Sequence, residues 1–264
     1  MKDILEEIVA YKRQEVALQK EVLPPRQLYA MAEKKMEEAI KPLSMSNALA
    51  TDAHGIIAEF KRKSPSKGWI KEEGQAEVIP AAYSENGAAA ISILTDNRYF
   101  GGSLEFVKKA RPMVKCPILR KEFIIDEYQV FEARIAGADA LLLVAADLKL
   151  TEAKSLISIA HEMNLEVLME LHAEKELEYA DLGADMIGVN NRDLGTFHTD
   201  VRNSFLLSTK LPQGKVLVSE SGIGSPETVM LLRQAGFRGF LMGECFMKEA
   251  EPGEALKNFI AAMK

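Results

Sequence analysis

The sequence predicts an α/β protein in which eight parallel strands close into a barrel surrounded by helices. From His54 onward, short apolar runs rich in Ile, Val and Leu alternate with amphipathic stretches, and successive runs begin roughly 20–33 residues apart. Repeated strand–helix units of this length fit a (β/α)8 TIM barrel better than an open sheet. The expected strands are 56–60, 89–94, 118–119, 140–144, 166–171, 186–189, 216–219 and 239–242.

Turn and cap residues support a repeated unit. The same Gly-Ala-Asp sequence precedes two expected strands, as Gly137-Ala138-Asp139 and Gly183-Ala184-Asp185. This pattern is typical of a glycine that ends a helix in a left-handed conformation before the chain turns into the next strand. One helix is expected over 151–163. Another is expected over 226–234, with Ser225 as its N-cap and a proline at its first position.

Residues 1–50 differ from the rest and predict an N-terminal helical extension. Apolar residues recur at helical spacing from Ile4 to Tyr11, Pro24-Pro25 breaks this helix, and the period resumes from Leu28 to Ile40. We find no linker or low-complexity segment after the extension. Residues 1–264 are therefore expected to form a single barrel domain that includes it.

Composition excludes several classes of partner. A net charge of −6 and a pI near 5.5 argue against a nucleic-acid or membrane-surface role, which needs a basic footprint. The first twenty residues are charged throughout and have no apolar core of signal-peptide length, so we expect a cytoplasmic protein. The two cysteines, Cys116 and Cys245, lie in apolar stretches, and no Cys/His cluster indicates a metal. The four histidines share no metal-ligand spacing, and His172 is expected to be structural.

Charged residues close several strands that should be buried. In a barrel of this type, catalytic residues lie at the carboxyl ends of the strands. The first run places Glu59, Lys61 and Lys63 on one face, which predicts a carboxylate and two ammonium groups at the barrel mouth. The third run leads to Lys121, a candidate general acid or Schiff-base amine. The fifth ends near Glu170, a candidate acid or base.

The two carboxylates should differ in solvation. Glu170 follows an apolar strand, so we expect burial to give it a higher pKa than that of Glu59, which has lysines around it. Glu166, at the start of the same run as Glu170, is expected to be a surface residue.

Polar and glycine residues follow the last three runs. Asn190 can orient a substrate hydroxyl or a carboxylate, and Arg192 can pair with an anion, whereas Asn191 and Asp193 are expected to shape the turn.

The glycines after the seventh and eighth runs, Gly222 and Gly243, predict a phosphate site built from backbone N–H groups. Glu244 is expected to contribute its N–H, with its carboxylate pointing away.

Seven segments in order resemble the indole-3-glycerol-phosphate synthase family. They are AEFKRKSPSKG (58–68), SILTDNRYFGGS (92–103), ILRKEF (118–123), LMEL (168–171), GVNNRDL (188–194), SESGI (219–223) and LMGECFM (241–247). The segment at 58–68 is highly specific to this family. Segments like those at 219–223 and 241–247 also occur in other phosphate-binding barrels. The similarity covers nearly the whole chain, including a helical extension over the barrel mouth.

This resemblance implies a carboxy-lyase of tryptophan biosynthesis without metal or organic cofactor. Its substrate would be 1-(2-carboxyphenylamino)-1-deoxyribulose 5-phosphate, which is cyclised, decarboxylated and dehydrated to indole-3-glycerol phosphate. Lys121 would be the general acid for ring closure, Glu170 and Glu59 would serve later proton transfers, and Lys61 would support Glu59 and position substrate charge.

The resemblance also implies binding roles. Asn190 and Ser221 would orient the sugar side of the substrate. Ser64, Gly222, Gly243 and Glu244 would lie near the phosphate or the carboxylate. The residues expected to shape the aromatic pocket or its edge are Phe100, Phe123, Leu142 and Arg192.

Two other functions fit the same residues. One is a class I aldolase-like lyase with Lys121 as the Schiff-base amine. The other is a non-catalytic barrel that binds a phosphorylated ligand, although a binder would not need the charges after the first, third and fifth strands. We expect a monomer, with a weak homodimer as the alternative.

Overall fold

The computed structural model describes residues 4–38, 41–193 and 195–263, so Ile40 and Leu194 lie outside the described residues. Eight strands form a closed barrel in which each pairs in parallel with its neighbours in the chain, and the eighth pairs with the first. The predicted (β/α)8 barrel is thereby confirmed. The strands are β1 (Ile56–Phe60), β2 (Ala90–Leu94), β3 (Ile118–Lys121), β4 (Ala140–Val144), β5 (Glu166–Leu171), β6 (Met186–Asn190), β7 (Val216–Glu220) and β8 (Phe237–Met242).

Helices precede the barrel and connect its strands. Those before and within the first half are α1 (Ile4–Val22), α2 (Pro25–Met36), α3 (Met45–Thr51), α4 (Ile79–Glu85), α5 (Asn97–Phe100), α6 (Leu104–Ala110) and α7 (Glu127–Ala136). The second half adds α8 (Leu150–Glu162), α9 (Arg202–Ser208), α10 (Pro226–Gln234), α11 (Glu244–Met247) and α12 (Pro252–Ala261), with 3-10 helices at Arg111–Met113, Ala145–Asp147 and Glu174–Asp181. A short hairpin pairs Lys63–Ser64 with Gly68–Trp69.

Local chemistry accounts for several helix ends. The Ser225 hydroxyl accepts a hydrogen bond from the Thr228 backbone N–H, which makes it the N-cap of α10 as predicted. Gly137 follows α7 at a φ of +88° and Gly183 has a φ of +102°, which confirms the left-handed turns into β4 and β6.

The helices of the extension contact different parts of the barrel. Side chains of α1 reach the carboxyl ends of the strands, as expected, whereas α2 packs against α7 on the side. Instead of covering the mouth, α3 closes the opposite end, because Met45 and Leu49 are fully buried among apolar residues of the barrel interior. Glu166 is not simply a surface residue: its carboxylate accepts hydrogen bonds from the Ser44 hydroxyl and from the backbone and hydroxyl of Ser46 at this closed end.

Two apolar layers hold the fold together. One fills the barrel, and the other lies between the strands and the surrounding helices. Among the described residues, no helix has the length and apolar character needed to cross a membrane.

Candidate active site

One pocket at the carboxyl ends of the strands brings together the site residues that the sequence predicts, with the exception of Lys63. Its lining contains Glu59, Lys61, Ser64, Phe100, Lys121, Phe123, Leu142, Glu170, Asn190, Arg192, Ser221, Gly222, Gly243 and Glu244. Within the described ranges, no group of three or more His, Cys, Asp and Glu side chains is arranged to hold a metal ion.

The charged floor of the pocket is one layer of the barrel interior. In a (β/α)8 barrel, alternate strands each contribute one side chain to a layer, and the next layer lies two residues further along each strand. The odd-numbered strands supply an apolar residue and then a charged one. These pairs are Ile57 and Glu59, Leu119 and Lys121, Leu168 and Glu170, and Val218 and Glu220.

Glu220 is a functional candidate that sequence reasoning missed. It is 1% exposed, and its Oε2 lies 2.7 Å from Lys121 Nζ. Gly188 makes room for it, because a Cβ on that glycine would lie 2.3 Å from Glu220 Oε1. The signal in the sequence that could have identified Glu220 is its position two residues after the inward-facing Val218.

Lys121 lies between two buried carboxylates. Its Nζ is 2.7 Å from Glu170 Oε2 and equally close to Glu220 Oε2. Burial alone would lower the pKa of Lys121, but the charges of Glu170, Glu220 and Glu59 raise it above its usual value. The lysine is therefore held as an ammonium ion.

The pKa values of the two carboxyl groups that flank Lys121 are shifted in opposite directions. Burial would raise the pKa of Glu170, but Lys121 and His172 hold it well below its ordinary range, opposite to the effect of burial that the sequence predicts. Burial, reinforced by the charge of Glu170, raises the pKa of Glu220 to about 8 despite Lys121. Of the two carboxyl groups, Glu220 therefore holds a proton more readily than Glu170 does.

A second ion pair lies at the end of β1. Lys61 Nζ is 2.5 Å from Glu59 Oε1. Gly243 leaves space for this carboxylate, because a Cβ there would lie 2.6 Å from the same oxygen. Lys63 does not join them, contrary to the predicted alternation: the chain turns into the hairpin, and Lys63 donates to the Arg98 carbonyl and lies over the Trp69 ring.

Apolar side chains form one wall of the pocket. The ring centroids of Phe100 and Phe123 are 6.1 Å apart, and Leu142 lies on the same lining. Residues of α1 complete the lining, namely Ile4, Leu5 and Ile8. Sequence reasoning assigned no site role to α1, since helical spacing alone does not show what an apolar face covers.

A buried ion-pair cluster fastens α1 beside the pocket. Lys12 is 2% exposed, and its Nζ lies 3.1 Å from both Asp96 Oδ2 and Glu122 Oε1. Glu15 is 2.6 Å away on the same helix. Because Asp96 and Glu122 also line the pocket, the position of α1 is coupled to the loops after β2 and β3.

Polar groups surround the opposite rim. The Asn190 Oδ1 accepts from the Arg192 backbone N–H at 3.0 Å, and the Arg192 guanidinium donates to Ser66 Oγ at 3.3 Å. The buried Ser64 hydroxyl has no hydrogen-bond partner among the described residues. Asn191 has a structural role, as predicted, because its Oδ1 accepts from the Ser204 backbone and hydroxyl.

The loops after β7 and β8 line the pocket. Ser221 and Gly222 have φ values of +66° and +75°, and a Cβ at Gly222 would lie 2.7 Å from Thr199 Cγ2. Glu244 begins α11, and its carboxylate lies 2.8 Å from Lys67 Nζ. The hydrogen bond from Lys67, with the charges of Lys61 and Arg192, lowers the pKa of Glu244. Three cations, Lys61, Lys67 and Arg192, therefore lie near this side of the pocket.

Solved structures of low sequence identity share the barrel fold. Thiamine phosphate pyrophosphorylase from Pyrococcus furiosus aligns with a TM-score of 0.62 at 17% identity, covering 83% of this chain and 98% of its own. A mutant tryptophan synthase alpha-subunit from the same organism aligns with a TM-score of 0.60 at 18% identity, covering 80% and 97%.

Sequence relatives match over the full length. Indole-3-glycerol phosphate synthase from Bacteroides thetaiotaomicron is 56% identical over 264 residues, covering 100% of both chains. The protein of the same name from Chromobacterium violaceum is 43% identical and covers 99% of each chain. The family model for indole-3-glycerol phosphate synthase matches residues 5–259. The chain belongs to the indole-3-glycerol phosphate synthase family.

Proposed function

We propose that the protein converts 1-(2-carboxyphenylamino)-1-deoxyribulose 5-phosphate to indole-3-glycerol phosphate, with loss of carbon dioxide and water. The observation that carries this proposal is the position of the Lys121 ammonium, 2.7 Å from each of two carboxyl groups at the floor of a pocket with an aromatic wall. Such a pocket supplies a proton donor, proton acceptors and a site for a ring.

Ring closure requires a proton on the ketose oxygen as the aromatic carbon attacks the carbonyl carbon. Lys121 is the donor, because it is charged and lies among the pocket-lining residues. When carbon dioxide leaves the ring carbon, its bonding electrons restore the ring without a metal or a nucleophile from the protein. Positioned proton transfer of this kind contributes about 10²- to 10⁴-fold to a rate.

Dehydration then adds a proton to the former ketose oxygen, which leaves as water, and removes a proton from the substrate, so one proton is donated and one is accepted. Glu59 and Glu170 serve these proton transfers. Lys61, 2.5 Å from Glu59, holds that carboxylate and balances its charge. The low pKa of Glu170 keeps it ionised as a proton acceptor.

Substrate orientation follows from the two sides of the pocket. The carboxyphenyl ring lies against Phe100, Phe123 and Leu142, where apolar contact excludes water. The sugar hydroxyls contact Asn190 and Ser221.

The substrate's anionic groups bind at the cationic side. The backbone N–H groups of Gly222, Gly243 and Glu244 face the phosphate, and Arg192 and Ser64 take the remaining anionic or polar contacts. The glycine backbone and the surrounding cations support this placement.

The charge state of Lys121 favours this function over a Schiff-base lyase. An amine nucleophile needs a lowered pKa so that it is neutral, whereas the carboxylates around Lys121 raise its pKa. A barrel that only binds a phosphorylated ligand is also disfavoured, because burying four charged or titratable groups in one layer is costly unless they are used.

The test is incubation of the purified protein with the carboxyphenylamino substrate while indole fluorescence is recorded. We expect product formation by the wild type and at least about a 10²-fold lower turnover in Lys121→Met. Borohydride added during turnover should leave Lys121 unmodified. The proposal is wrong if no indole forms, and a borohydride-trapped adduct on Lys121 would favour the aldolase-like reaction.

We further propose that the enzyme is a cytoplasmic monomer and that residues 1–264 unfold as one domain. The thiols of Cys116 and Cys245 are free, and burial raises the pKa of both, as suits a reducing compartment. Sedimentation over a range of concentrations distinguishes the monomer from a weak homodimer. A single calorimetric transition is expected for one domain.

A further inference from the structure

His172 lies beside Glu170. It follows the end of β5, is not among the pocket-lining residues, and its side chain is 10% exposed. Its Nε2 lies 3.2 Å from Glu170 Oε1, and its Nδ1 lies 3.8 Å from Glu176 Oε2. The imidazole ring is therefore placed between two carboxylates, one of which belongs to the catalytic layer.

We propose that His172 is a positioning residue which, as an imidazolium ion backed by Glu176, orients Glu170 and keeps it ionised for proton transfer. This inference rests on the proposed function for the role of Glu170. It assigns to His172 more than the structural role that the sequence predicts.

Each oxygen of Glu170 faces a nitrogen atom. Oε2 lies 2.7 Å from Lys121 Nζ, and Oε1 faces His172 Nε2. During ring closure Lys121 gives its proton to the substrate, so its hold on Glu170 weakens at that moment. A second cation on the other oxygen keeps the carboxylate in place, since a displacement of 1 Å costs about 10²-fold in rate.

Glu176 lies on the far side of the imidazole ring. It is 6% exposed, and its Oε2 accepts a hydrogen bond from the His172 backbone N–H at 2.6 Å. It belongs to the 3-10 helix Glu174–Asp181, which replaces an α-helix in the fifth unit of the barrel. A buried carboxylate needs a neighbouring cation, and the imidazolium is the one that faces it.

Three carboxylates around the ring favour its protonated form. Glu170 faces it from β5, Glu176 from the 3-10 helix, and Asp193 acts from the loop after β6, while the Lys121 ammonium lies beyond Glu170. Burial alone would lower the pKa of His172, but the two glutamates raise it to about 10. The sequence of charges from Glu176 through His172 and Glu170 to Lys121 alternates in sign.

The pH dependence distinguishes positioning from simple packing. The His172 charge lowers the pKa of Glu170, so removing that charge should raise the pKa. In His172→Gln we expect kcat to fall at least about tenfold, KM to stay within about threefold, and the acid limb of kcat to move about one pH unit upward. A purely structural loss would lower activity without moving that limb.

A matched control is His161→Gln. His161 also pairs with a carboxylate, at 2.9 Å from Asp185, but it is 43% exposed on α8 and away from the pocket. Its substitution should leave kcat and the acid limb unchanged. An unmoved acid limb in His172→Gln, with kcat like that of this control, would overturn the inference.

A second measurement does not depend on activity. Nitrogen-15 NMR of the histidine rings separates imidazolium from imidazole, and the signal missing from His172→Gln identifies His172. We expect that signal to remain imidazolium from pH 6 to 9, and Glu176→Gln to lower its pKa. If His172→Gln does not fold, Glu176→Gln identifies the ring by this shift.

A His172 that titrates below pH 7 would refute the inference even in an active enzyme. Conversely, an imidazolium in a protein that makes no indole would refute the proposed function instead.

Discussion

Gly243→Ala tests whether the space beside Glu59 is needed for catalysis. The new Cβ would lie 2.6 Å from Glu59 Oε1, 3.0 Å from its Cβ and 3.2 Å from its Cδ. Carbon and oxygen atoms in ordinary contact lie about 3.5 Å apart, so the carboxylate must retreat by about 0.9 Å. A misplacement of that size is expected to lower kcat by about 10²-fold.

The assay is indole formation under saturating substrate, combined with inhibition by inorganic phosphate. If the added methyl group acts through Glu59, kcat falls while the inhibition constant for phosphate stays within about threefold. The matched control is Gly224→Ala, because a Cβ there meets no atom within 4 Å. We expect that variant to behave as the wild type.

Two results would refute this reasoning. Wild-type kcat in a folded Gly243→Ala protein would show that Glu59 does not need its observed position. Weaker phosphate inhibition with unchanged kcat would instead mean that Gly243 acts on the phosphate.

Three further predictions follow from the buried charges. Glu59→Gln and Glu170→Gln should each slow turnover at least about tenfold while substrate binding changes less than about tenfold, because proton transfer is lost in the transition state. In stopped-flow measurements over a pH series, a wild-type rate at every pH would make that carboxylate structural. Glu220→Gln mimics the protonated form that burial of this side chain favours, so kcat near pH 7 should stay within about threefold. Any change in the wild-type rate as Glu220 ionises near pH 8 should be absent from this variant. A loss of about 10²-fold in the variant at pH 7 would show that the carboxylate form of Glu220 is required. Lys12→Met removes the cation that lies 3.1 Å from two buried carboxylates and should lower the free energy of unfolding by about 3–5 kcal/mol in guanidinium titrations. Lys20→Met, which removes a partly exposed pair, should cost no more than about 1 kcal/mol, and equal losses would contradict the reasoning.

The sequence by itself determined the barrel and most of the pocket. Apolar runs and turn chemistry are local properties, so they predicted β1, β4 and β5 to the residue and the cap at Ser225. The rule that barrel sites lie at strand ends then brought Lys121 and Glu170 to one pocket.

Tertiary structure decided which groups meet and in what charge state. Lys121 contacts Glu170 and Glu220, which lie 49 and 99 residues away in the chain. A pKa depends on such distances and on burial, so Glu170 has a lowered value and Glu220 a raised one although both end apolar strands. The closed end of the barrel beneath α3 and the space that Gly243 leaves for Glu59 likewise depend on packing between distant segments, which local spacing does not encode.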